Sequence, residues 1–102
     1  MDRHGAKHAA AAAERIQGDA RRQAMDLSAA LRRTAAALDS SDRLAEEHAR
    51  RQEQRGHGDA ADHERRAAIR ARENAHRARS QAEKWLTVGS ESERESRQVG
   101  PR

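Results

Sequence analysis

The chain has no cysteine, no phenylalanine and no tyrosine, with one tryptophan and one proline in 102 residues. Without cysteine there is no disulfide framework and no thiolate chemistry, and nothing points to an oxidising compartment. With a single aromatic residue, and with 23 alanines in an apolar fraction of only 34%, a wide globular core is excluded. A buried leucine stabilises by roughly 1.5–3 kcal/mol and an alanine methyl by much less. The large apolar side chains are few: Ile16, Leu27, Leu31, Leu38, Leu44, Ile69, Trp85, Leu86, Val88, Val99 and two methionines. They suffice for a thin seam between helices. Long apolar runs are also missing. The best is Ala9 to Ala13, ended by Glu14-Arg15, which is too short for a signal sequence or a bilayer span. A cytoplasmic protein with no membrane association is the expectation.

What is present favours helix. Alanine, arginine, glutamate and glutamine are good helix formers, and the single proline, Pro101, lies at the far end. From Leu27 onward two heptad stripes appear. The first reads Leu27, Leu31, Thr34, Leu38, Ser41, Ala45, His48, Gln52, and the second reads Ala61, Glu64, Ala68, Ala71, Ala75, Ala78, Ala82, Trp85. Both alternate steps of three and four, the signature of a face that packs on another helix. Gly56-His57-Gly58 separates them, with Gly56 suited to end one helix and Asp59 placed to cap the next. The fold class expected is all-α: an antiparallel helical hairpin, a two-helix coiled coil with an Ala-rich seam.

The expected organisation is a flexible start over 1–5 and a hairpin over 6–86. Helix one spans about 7–55, the turn 56–59 and helix two about 60–86, followed by a disordered tail over 87–102 rich in Gly, Ser, Glu and Arg. Helix one is expected to run through Asp39-Ser40-Ser41-Asp42, because the heptad phase does not change there. Folding about Gly58 sets Leu31 against Trp85, Thr34 against Ala82, Leu38 against Ala78, Ser41 against Ala75 and Ala45 against Ala71. It also brings Asp42 beside Arg72. Trp85 is expected to cap the open end over Leu27 and Leu31. Residues 6–26 carry a weaker continuation of the stripe (Ala6, Ala10, Ala13, Gln17, Ala20, Ala24) and have no partner within the chain. That overhang is about 30 Å long at 1.5 Å per residue.

Functional signals are sparse. His4 with His8, and His57, His63 and Glu64 near the turn, do not converge as a zinc site requires, so no metal and no cofactor is expected. His48 and Glu64 read as a polar layer of the seam rather than an acid/base pair, because two helices offer no concave site. Arg65, Arg72 and Arg79 recur every seven residues, and Arg66, Arg70 and Arg77 widen that face. Such a stripe suits phosphate, and the net charge is +4, but acidic residues are interleaved throughout helix one. The expectation is therefore a non-enzymatic interaction or structural protein, with no small-molecule substrate. Its partner is itself, as a homodimer through residues 6–26, or another helical protein. The alternative is a nucleic-acid accessory protein using the arginine face. The interaction seam expected is Leu27, Leu31, Leu38, Ala45, Ala71, Ala75, Ala78, Ala82 and Trp85.

Overall fold

A computed structural model describes residues 3–98. It contains two helices, α1 over Arg3–Gln54 and α2 over Gly58–Gln98, packed along each other as an antiparallel hairpin. The chain ends, 1–2 and 99–102, lie outside the described residues. The long dimension is 83 Å and the others are 19 and 13 Å. At 1.5 Å per residue α1 is about 78 Å long and α2 about 62 Å, so α1 sets the length and overhangs by about 16 Å.

α1 does not break at Asp39 to Asp42. Ser40 and Ser41 donate their hydroxyls to the carbonyls of Ala36 and Ala37, each at 3.2 Å, and so return to their own helix instead of capping a new one. α1 ends in a Schellman pairing: the Gly56 N–H donates to the Glu53 carbonyl at 2.9 Å and the His57 N–H to the Gln52 carbonyl at 2.8 Å. Gly56 has φ +79°, the left-handed value this geometry needs. His57 Nδ1 also lies 2.9 Å from Gln52 Oε1, where Nδ1–H donates to the amide oxygen. The first hydrogen bond of α2 runs from the Ala61 N–H to the His57 carbonyl at 3.0 Å. Asp59 therefore sits inside the first turn and does not occupy the expected cap position; its charge favours the helix N-terminus from there.

Two boundaries differ from expectation. α2 does not stop near Leu86. Residues 87–98, expected to be a disordered tail, continue the helix. The reason lies in the seam. Ala61, Ala68, Ala75 and Ala82 are almost wholly buried, and seven residues further on Gly89 is buried too. A Cβ at Gly89 would lie 3.6 Å from Ala24 Cβ. Gly89, within the stretch expected to be disordered, is thus the fifth seam position, facing Ala24 of α1. Accordingly, the expected overhang over 6–26 is shortened, since Ala24 is covered by α2.

The seam of α1 is also rotated. Its buried residues are Ala24, Ser28, Ala35, Ala45 and Ala49, with Leu31, Leu38, Asp42 and Gln52 half-buried. Leu31, Leu38, Ala45 and Gln52 were expected, but Ser28, Ala35, Asp42 and Ala49 replace Leu27, Thr34, Ser41 and His48. Leu31 and Leu38 pack on a small core of Ala35, Ala75 and Ala78. Small residues on both helices let the backbones approach closely, and the bulkier leucines are left at the rim of the contact.

Candidate interaction face

Rotating α1 gives the hairpin two unlike sides. On one side stand Asp39, Glu46 and Glu53, each four residues beyond a seam position. Across from them on α2 stand Arg79, Arg72 and Arg65. Arg79 pairs with Asp39, Arg65 pairs with Glu53, and Arg72 Nη2 lies 3.3 Å from Glu46 Oε1. Arg72 also grips the half-buried Asp42 with two hydrogen bonds, Nε to Oδ2 at 3.2 Å and Nη2 to Oδ1 at 3.3 Å. The contact of Asp42 with Arg72 is the one expected from the sequence. The Arg65 hydrogen bond, and then its charge, hold the Glu53 carboxyl below its ordinary value of 4.5. The Glu53 bond raises Arg65 in turn, and the Asp42 bond followed by its charge raises Arg72. These pairs are solvent-exposed on the arginine side, so each contributes little alone; together they fix rotation and register.

The other side of α1 is bare. One residue before the seam positions Ser28, Ala35 and Asp42, about 100° around the helix, come Leu27, Thr34 and Ser41, and the same heptad spacing carries back to Ala20 and Ala13. Alternating with them are Ala9, Ile16, Gln23, Ala30, Ala37 and Leu44. From Ala9 to Leu44 these eleven positions form a second heptad stripe without a single charge, and all are exposed except the half-buried Ala30. Charged residues make up 37% of the chain, which would place about four there. Ile16 is 69% exposed, Leu44 54% and Leu27 42%. The two hydroxyls of the stripe are already used: Thr34 donates to the Ala30 carbonyl at 3.1 Å and Ser41 to that of Ala37. Apart from the Gln23 amide, the stripe therefore shows mainly hydrocarbon to solvent.

Of the residues expected in the seam, Leu31, Leu38, Ala45, Ala71, Ala75, Ala78 and Ala82 lie within it, buried or half-buried. Leu27 and Trp85 do not. Leu27 stands on the uncharged stripe, and Trp85 remains 39% exposed, so it does not seal the end of the hairpin as expected. The rotation of α1 carries Leu27 away from the place Trp85 was to cover. Trp85 instead borders a shallow apolar depression with Gln81, Lys84 and Val88, all from α2.

Of the arginines expected to hold phosphate, Arg65, Arg72 and Arg79 are engaged across the seam. Arg77 bonds to Asn74 on its own helix, and Arg66 and Arg70 make no ion pair among the described residues. His48 and Glu64 are half-buried near the turn, and no hydrogen bond joins them. Among the described residues no three His, Asp or Glu side chains gather as a metal ion would need. The grooves lined by Arg72, Glu73, His76 and Arg77, and by Ser80, Glu83, Lys84, Thr87, Val88 and Glu91, are each walled by α2 alone. No helix among the described residues is long and apolar enough to cross a membrane.

Of the acidic partners of the arginine stripe only Asp42 was read from the sequence; Asp39, Glu46 and Glu53, and the uncharged stripe of α1, were missed. Each repeats every seven residues, so the signal was present at positions next to the one stripe that was followed. Comparison with protein-family models, curated proteins and solved structures found no match.

Proposed function

We propose that this protein is a non-enzymatic helical interaction protein, a hairpin that self-associates or docks on a partner helix. The observation that carries this reading is the uncharged stripe from Ala9 to Leu44, exposed along an otherwise charged rod. Exposed apolar surface organised at heptad spacing is what a second helix covers. The start of α1, which reaches beyond α2, adds to that surface, so contact through residues 6–26 belongs to the same reading. The grooves just described, each walled by one helix, do not favour a small-molecule substrate or catalysis. The absence of cysteine and of an apolar span suits a cytoplasmic setting. Light scattering in line with size exclusion tests self-association, which is expected to report about twice the 11.4 kDa chain mass at micromolar concentration. A mass of one chain, together with no binding to amphipathic helices by titration calorimetry, would dismiss the reading.

The second reading is a nucleic-acid accessory role, favoured by the exposed Arg66 and Arg70 without ion pairs and by the net charge of +4. It is weakened by the engagement of Arg65, Arg72 and Arg79 with carboxylates of α1. A gel shift at low salt decides it, because phosphate binding must be present there and fall steeply as salt rises.

A further inference from the structure

We infer that the occupant of the uncharged stripe is a second copy of this chain, with the two α1 helices antiparallel about a two-fold axis near Ser28 and Ala29. The inference rests on the interaction reading above and names its partner. The large residues of the stripe are placed so that, in one antiparallel register, it complements itself. Set antiparallel with Leu27 over Ala30 of the copy, Ile16 falls over Ser41 and Leu44 over Ala13. Each large residue then meets a small one, the device that the intrachain seam uses where Leu38 packs on Ala75 and Ala78. In the same register Gln23, the one amide of the stripe, falls opposite Thr34. The Thr34 hydroxyl proton is committed to the Ala30 carbonyl, but its oxygen still accepts from the Gln23 amide.

Charge supplies an independent argument. The positions flanking the stripe on its outer side carry Asp19, Asp26 and Arg33. In this register Arg33 falls between Asp19 and Asp26 of the copy, and the two-fold axis makes the contact twice. Within the chain Asp26 and Arg33 are exposed and make no ion pair among the described residues, whereas Asp19 pairs with Arg22. Asp26 and Arg33 thus have the chemistry of a partner and none in their own hairpin. A parallel two-fold arrangement would put these flanking positions on opposite sides of the dimer seam, where Asp26 and Arg33 would not meet, which disfavours it. The stripe spans about 54 Å of helix, so the dimer would join the two hairpins along their α1 helices.

The experiment uses the full chain, whose lack of cysteine makes engineered thiols unambiguous. Ile16→Cys chains are mixed with Ser41→Cys chains and oxidised. The expected product is the mixed disulfide, well in excess of either homodimer. Leu27→Glu, at an exposed position, is expected to halve the mass by light scattering while keeping the helical circular dichroism. Asp26→Arg is expected to weaken the dimer and Asp26→Arg with Arg33→Asp to restore it. Disulfides within each single variant, without the mixed product, would mean a parallel pairing and overturn the inference. A dimer indifferent to Leu27→Glu would overturn it too, while leaving self-association through another surface intact. A monomer at every concentration would overturn both the inference and self-association.

Discussion

The two long sides of this hairpin are made from the same helix and by the same repeat, yet they are opposites. On one, Asp39, Glu46 and Glu53 meet Arg79, Arg72 and Arg65 across the seam, and the charges satisfy each other within the chain. On the other, eleven positions of α1 carry no charge and, apart from the half-buried Ala30, are exposed among the described residues. Charge used internally marks the side that the chain closes itself. Its absence over ten turns of a strongly charged helix is the feature on which the proposed partner contact rests. Without that difference the leucines of α1 would be ambiguous, since Leu27 and Leu31 belong to neighbouring stripes, and Leu31 packs on the buried core while Leu27 is 42% exposed.

The comparison breaks most sharply under a charge placed on each side in turn. Ala75→Glu puts a carboxylate where the residue is wholly buried, and is expected to cost more than about 4 kcal/mol and abolish the helical melt. Ala37→Glu, on the uncharged stripe, is expected to stay within about 0.5 kcal/mol of the parent when melted at concentrations too low for association. Equal damage from both would erase the distinction between sides.

Leu38 probes the rim between the two. It is half-buried against Ala35, Ala75 and Ala78, so Leu38→Ala should cost about 1–2 kcal/mol, below the 2–5 kcal/mol of a fully enclosed leucine. Chemical denaturation measures it. A loss within error of zero would mean the seam is looser than described.

The charged side has a pH signature. The carboxyl of Glu53 is depressed below 4.5 in the folded chain by Arg65, so its contribution is present above 4.5 and lost as pH falls through the depressed value. Glu53→Gln should therefore melt below the parent near neutral pH, and the two melts should converge in strong acid. A gap that persists in acid would assign the effect to something other than the ion pair.

The smallest effect expected is at Ser28. Its hydroxyl is buried and has no hydrogen-bond partner among the described residues. Ser28→Ala removes an unsatisfied polar group at nearly constant volume, and the melting temperature should hold or rise slightly. A clear fall would reveal a partner for that hydroxyl.

Much of the fold was legible from residue order alone. Alanine-rich heptads, a single distant proline and Gly56 dictate two helices and a Schellman turn, because helix propensity and left-handed φ are local properties. The contact of Asp42 with Arg72 followed from folding those helices together. Three things needed the packed pair. Which of two adjacent stripes faces inward was decided by the close fit of Ala35 and Ala49 on the alanines of α2, a matter of volume rather than hydrophobicity. Gly89 reads locally as a helix-weakening residue, but it continues the buried seam of α2, where a Cβ would lie in van der Waals contact with Ala24, 3.6 Å away. The arginines at 65, 72 and 79 look like a phosphate footprint in one dimension and become internal ion pairs in three, because their partners are 12 to 40 residues away along the chain. Periodicity is written along one helix, whereas rotation and pairing arise only where two helices meet.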